Sequence, residues 1–294
     1  MKIHMSILAA GVATICSLLT QSATALNCPS NIRVGISDRG YASFRSNNGY
    51  EGISVDLFTE LSKRTGCKVT FVWLPSVRLM LELEAGQIDI SATMIQDAKR
   101  DQFAVFLPYA YSQSYLVLLK RQEVTYSSLD EFVASPNTRL NRVRGLLMSK
   151  KIEDMLKPML MQGRVEHVND FATVFRKLDA GRAEAAVMTP WIYLWHARQA
   201  GISDQLVLVP IREVPSPMLG MYVSSSSMPN ETTSAIAIAL ESMVKDGSIK
   251  AIHERYLPPP IVAQLFARPT TNISAYLLGL QAAKKKPVAL IALQ

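Results

Sequence analysis

"KVTFVWLPSVRLMLELEAGQIDISAT", residues 68–93, runs from a strand-like segment through a helix-like one and back to a strand. "KVTFVWL" is β-branched and aromatic, "SVRLMLELEAG" is helical text closed by Gly86, and "IDISAT" is extended again. Upstream, "NIRVGI" (31–36) reads as a strand and "SVDLFTELSKRT" (54–65) as a helix with Val55, Leu57, Phe58 and Leu61 on one side. Strands separated by helical patterns of about ten residues imply βαβ units and a parallel sheet. The class is α/β.

A second series follows the first. "SYLVLLKRQ" (114–122) is a longer apolar strand, followed by helix-like "SLDEFVAS" (128–135), strand-like "RVRGLLM" (142–148) and a helix from Ser149. Then come a helix at 170–181, a strand at 183–188, the aromatic helix "PWIYLWHARQAG" (190–201) and "LVLVPI" (206–211). A Pro-rich stretch, "REVPSPM" (212–218), leads to strand-like "LGMYVSS" and two closing helices, from Asn230 to Lys245 and at "SIKAIHERYL" (248–257). "LEAGQIDI" (83–90) and "LDAGRAEA" (178–185) echo each other at equivalent helix-to-strand junctions. Gly86 and Gly181 suit a left-handed helix end, and the echo points to two similar lobes.

The N-terminus carries Lys2, an apolar centre from Ile7 to about Leu19, and small residues at Ala23-Thr24-Ala25. That is the pattern of a secretory signal peptide over 1–25, too short for a comfortable membrane span. Export leaves Cys28 and Cys67 as an even pair in an oxidising compartment. They precede the first and second strands, whose starts meet if those strands are parallel neighbours; a disulfide there would contribute roughly 3–4 kcal/mol. Two free buried thiols are the alternative. The exported chain has 30 Lys and Arg against 24 Asp and Glu, net +6. The excess is spread out, without basic runs interleaved with aromatics, so it favours small anionic solutes over nucleic acid.

Catalytic signatures are missing from the text. There is no hydrolase elbow, P-loop, HExxH or paired CxxC, and the isolated His167, His196 and His253 lack metal-ligand spacing. No enzyme, metal or cofactor is called for. Arg100 in "ISATMIQDAKRDQF" (90–103) has two readings, a solvated charge beside Asp97 and Asp101 or a residue aimed at a ligand.

The chain resembles the bacterial extracellular solute-binding proteins of family 3, the periplasmic amino-acid-type receptors of ABC importers. The likeness is carried by "RVGISDRGYASF", "YEGISVDLFTELSKRTGCKVTFVWL", "LEAGQIDISATMIQDAKRDQFAVFLPYAYSQSYLVLL", "LDAGRAEAAVM" and "ALESMVKDGSIKAIHERYL", in family order over roughly residues 30–257. The resemblance implies a two-lobed periplasmic-binding-protein fold of type II with two crossing hinge strands, "YLVLLKR" and "SPMLGMYV". Lobe I would be 28–116 and 218–260, lobe II 117–217, with 261–294 an extension of no assigned role. It implies a monomeric periplasmic receptor that closes on a small carboxylate-bearing solute and delivers it to ABC permease subunits. A lyase on the same fold, similar to cyclohexadienyl dehydratase, and a sensory or accessory binding protein are the alternatives.

By the same resemblance, Arg100 at the start of a helix binds the solute carboxylate and Thr93 helps. Tyr41 resembles the aromatic that covers the ligand, Asp38 an acid that some members place nearby, and Arg78 a charge that could face the cleft. Ser149 would cap a helix and present its N–H groups to an anion, although Met148 stands where the family has Gly. Thr189 stands where the family usually has the Asp that takes an α-ammonium. The solute is thus either an amino acid served by another acid, such as Asp38, or a different small anion. Trp191 and Trp195 could line the cleft or belong to a core stripe.

Overall fold

A computed structural model describes residues 28–120 and 126–285. The expected signal peptide, Arg121 of the first expected crossing and the last nine residues lie outside them.

The elements run β1 (Ile32–Ile36), β2 (Phe44–Ser46), β3 (Gly49–Glu51), α1 (Ile53–Thr65), β4 (Val69–Trp73), α2 (Ser76–Glu84), β5 (Ile90–Ile95) and β6 (Ala104–Tyr111). They continue with β7 (Tyr115–Leu119), α3 (Leu129–Ala134), β8 (Leu140–Val143), α4 (Lys150–Met161), β9 (Val165–Val168), α5 (Phe171–Asp179), β10 (Ala185–Met188), α6 (Pro190–Ala200) and β11 (Leu206–Pro210). The last are β12 (Met218–Ser224), α7 (Asn230–Lys245), α8 (Ser248–Glu254), α9 (Pro259–Leu265) and α10 (Thr271–Lys285).

Two five-stranded sheets organise these elements. The first has the order β4-β1-β5-β12-β6, with β1 parallel to β4 and β5 and β12 antiparallel to β5 and β6. The second has the order β11-β7-β10-β8-β9, parallel through β10, β8 and β9 and antiparallel at β7. Because β1 and β4 are parallel neighbours, the residues before them meet, and Cys28 and Cys67 form a disulfide with Cα atoms 5.4 Å apart. Gly86 and Gly181 take φ of +67° and +65°, as their helix-ending positions require.

The chain passes between the sheets twice, through 112–114 and 211–217, a few residues ahead of each stretch expected to cross; those stretches form β7 and β12. The two passages are laced together. Ser112 N–H donates to Pro217 O (2.9 Å), Ile211 N–H to Ser114 O (3.0 Å), and the Gln113 amide to Ile211 O (2.8 Å). Bonds so close to a pair of short linkers suit a hinge, in which few residues absorb the motion of packed bodies.

The tail docks on the first sheet. Ile273 and Leu277 of α10 are fully buried, and the Tyr276 ring stands edge-on to Phe106 of β6 at 6.3 Å. Ahead of it, the Tyr115 hydroxyl donates to Gln264, and Arg268 stacks on Tyr111 (5.4 Å), so the extension also grips the ends of the first passage. Among the described residues no helix is long and apolar enough to cross a membrane.

Candidate functional site

Between the sheets lies a cleft lined from the first lobe by Arg39, Thr93, Met94, Ile95, Arg100 and Leu219, and from the second by Leu146 to Ser149, Val187 to Thr189, Trp191 and Ile192, with Ser112, Ser114 and Pro217 at the hinge. Of the residues expected at the site, Arg100, Thr93, Ser149 and Thr189 line this cleft.

Arg100 arrives differently from expectation. It opens a three-residue 3-10 turn, Arg100–Gln102, instead of a helix, so it has no helix N-terminus behind it. The Asp97 carboxylate accepts the Lys99 and Arg100 backbone N–H groups (3.1 and 3.4 Å) as an N-cap does, but the turn it opens ends at Gln102. Arg100 is 6% exposed, and its guanidinium donates to Ile95 O (3.3 Å), with the Met94 sulfur at 3.8 Å and the Tyr222 ring at 5.9 Å. Burial holds its pKa below the usual arginine value, although the Asp97 and Tyr222 charges work the other way.

Arg39 stands beside it, and nothing in the sequence reading singled it out. Its Nε donates to Ser37 Oγ (3.2 Å). Burial first, and then the Arg100 charge, push its pKa down to about 10. Its only sequence signal was a position just after a strand, in "SDRGY", which any loop cation shares.

Thr93 is the one described non-glycine residue with positive φ, at +56°. A β-branched side chain rarely accepts that conformation, which stores about 1–3 kcal/mol. It occurs inside β5, where the register with β12 shifts, and a 2.6 Å hydrogen bond between the Thr93 and Ser54 hydroxyls holds it.

In the second lobe Ser149 caps α4, accepting from Ile152 N–H at 3.5 Å. Behind it, buried Arg142 forms a paired bond to Glu153 (2.8 Å to each oxygen) and donates to Leu146 O. Glu153 also accepts the Met148 N–H (3.1 Å), so this pair shapes the loop that carries Met148 and Ser149 to the cleft. Thr189 begins α6, and its hydroxyl oxygen is buried without a hydrogen-bond partner among the described residues.

The remaining expected residues lie elsewhere. Tyr41 does not line the cleft. It packs edge-on to Trp195 (5.2 Å) and accepts from Arg198 (3.3 Å), while Phe44 stacks on Trp195 at 4.1 Å. These contacts join the lobes along a seam beside the cleft. Gly40, at φ +58°, lets the strands of backbone meet there, since a Cβ would fall 2.3 Å from Trp191 O. Asp38 is 49% exposed at the same seam, 3.3 Å from His196 Nε2 of α6. Burial raises its pKa, but the His196 contact and the Gly40 N–H outweigh this and hold it below the usual value. Arg78 is 64% exposed and pairs with Glu82 one helical turn on. Trp191 lines the cleft and Trp195 belongs to the seam.

Among the described residues, no Asp or Glu lines the cleft, and no cluster of His, Cys, Asp or Glu is placed to hold a metal. The arrangement offers what an anion needs: two guanidiniums on one wall, hydroxyls and a helix N-terminus on the other.

Fold and cleft together define a two-lobed α/β periplasmic-binding-protein fold. Residues 32–259 match the bacterial extracellular solute-binding proteins, family 3, and the chain belongs to that family. It is similar to the probable amino-acid-binding protein YxeM of Bacillus subtilis, 20% identical over 238 residues, 79% of this chain and 86% of the relative. The putative amino-acid ABC transporter-binding protein PatH of Vibrio harveyi is 21% identical over 238 residues, 80% of this chain and 92% of the relative. An ancestral arginine-binding protein bound to arginine matches with a TM-score of 0.65 at 24% identity, covering 78% of this chain and 99% of that one. Likeness at that identity speaks for the fold.

Proposed function

We propose that this chain is an exported solute receptor that captures a small carboxylate-bearing solute, an amino acid or related organic anion, and hands it to an ABC importer. Arg100 carries the reading: it lines the cleft, is 6% exposed, and has no carboxylate partner among the described residues. A buried guanidinium is costly unless an anion pairs with it, and a carboxylate matches its planar fork. Membership of the family and the names of its curated relatives, both amino-acid-binding, support the class.

In this reading residues 28–111 with 218–260 form one lobe and 115–210 the other, the expected boundary at 116 moving back because β7 already belongs to the second sheet at Tyr115, and the lobes turn about the laced passages. A solute touching both walls favours the closed form by its contacts there. Arg100, Thr93, Ser149 and Thr189 touch the solute; Tyr41 and Asp38 hold the closed seam; Arg78 has no part. Cleavage of residues 1–25 delivers a monomer to the periplasm.

Native mass spectrometry of the protein purified from its own host tests this, with a bound small acid as the expected result. No co-purified solute, together with melting temperatures and scattering profiles unmoved by a panel of amino acids and organic acids, would refute it.

A further inference from the structure

The charge of the solute follows from the charges that line the cleft. Arg39 and Arg100 bring two cations to one wall, and neither makes an ion pair among the described residues. The nearby acids are committed elsewhere. Asp97 takes the backbone N–H groups of its own turn, Asp101 takes the Tyr222 hydroxyl (2.7 Å) and the Gln96 amide (3.0 Å), and Asp38 faces His196 across the seam. The opposite wall adds the positive end of α4 at Ser149 and the partnerless Thr189 hydroxyl.

We infer that the cleft is built for a dicarboxylate, an organic dianion without an ammonium group, held by Arg39 and Arg100 against the N-terminus of α4. A monoanion leaves one of the two guanidiniums uncompensated in the cleft. An α-amino acid does worse, because its ammonium enters a cleft that already holds two cations and no carboxylate to receive it. Between the polar groups the walls are apolar, at Met148, Met188, Trp191 and Leu219, which suits an unsubstituted hydrocarbon link between the two acid groups. This inference rests on the solute-receptor reading and narrows it.

Calorimetry on the intact, dialysed protein tests the inference with matched pairs differing only by an α-ammonium: succinate and aspartate, glutarate and glutamate, adipate and 2-aminoadipate. The expected result is that at least one dicarboxylate binds ten-fold or more tightly than its amino counterpart. Arg39→Gln should weaken that dicarboxylate at least ten-fold. Thr189→Asp, which adds a carboxylate to the far wall, should shift preference within the pair toward the amino acid by ten-fold or more. An amino acid that binds as tightly as its partner overturns the inference and leaves the solute-receptor reading standing. Silence from all six probes also overturns it, and the native mass measurement then decides the fate of the broader reading separately. A Thr189→Asp protein that folds with the parent's melting temperature yet keeps the parent's preference counts against it too.

Discussion

Replacing Arg100 by methionine separates the two roles open to a buried arginine. Inside the protein the guanidinium is held by a 3.3 Å bond to Ile95 O, a sulfur at 3.8 Å and a ring face at 5.9 Å. These are weak returns for burying a cation. Methionine keeps the apolar stem contacts and removes the charge. The unliganded protein should lose about 1 kcal/mol for the hydrogen bond and recover a similar amount from the relieved desolvation. Its melting temperature should therefore stay within about 3 °C of the parent, or rise.

The solute tells the other half. A carboxylate held by Arg100 loses charge-assisted hydrogen bonds, a loss of about 2–5 kcal/mol, much of it from leaving an anion buried and unpaired. That corresponds to roughly 30- to 4,000-fold weaker binding. Scanning calorimetry of the unliganded variant and titration with the solute recovered from the native protein measure both quantities. A variant that melts far below the parent and still binds at full strength would make Arg100 a structural residue and remove the basis of the proposed function.

Trp195→Ala should weaken solute binding by about 1–2 kcal/mol, since its two ring contacts join the lobes only when they meet; unchanged affinity would detach the seam from closure. His253 is buried, with burial pressing its pKa down to about 4 against the Ile249 carbonyl bond. The unfolded chain takes up that proton near pH 6.5, so stability should fall by up to about 3 kcal/mol as pH drops from 6.5 to 4. His253→Phe should flatten that slope in denaturant titrations, and an identical slope would exclude this histidine as its source. Ending the chain after Ala267 removes the fully buried Ile273 and Leu277 and should cost about 2–4 kcal/mol net of ordering, a fall of roughly 5–15 °C in melting temperature. An unaffected transition would mean that α10 does not stabilise the lobe in solution.

The parts of the fold legible in the sequence are those whose period matches their surroundings. α1 and α5 announce themselves by apolar spacing, β1, β4 and β5 by β-branched and aromatic runs, and the Cys pair by the parallel pairing of β1 and β4. What escaped the reading sits at edges. β6 contains Pro108, which argues against a strand until its position at the end of the sheet order makes the missing donor harmless. β9, "VEHV", is four residues long, largely charged or exposed, and also an edge. The β2–β3 hairpin is only three residues a side. At the site, Arg100 and Thr189 were legible through resemblance, whereas Arg39 was not. Its significance comes from Arg100, some sixty residues away, and from burial, neither of which local sequence encodes.

In the proposed receptor the seam and the cleft oppose each other, and that opposition gives the solute its leverage. Along the seam, Tyr41, Phe44 and Gly40 of one lobe meet Trp195 and the α6 backbone of the other, contacts that favour closure with or without a solute. In the cleft, closure carries the N-terminus of α4, with about half a positive charge, toward Arg39 and Arg100 while water is driven out. Like charges in a drier medium repel more strongly, so the empty cleft resists the motion that the seam rewards. An anion entering the cleft reverses the sign of that term: it attracts both walls and lets the seam act. In the proposed receptor the seam therefore sets how readily the lobes meet, while the paired arginines select the solutes that bring them together.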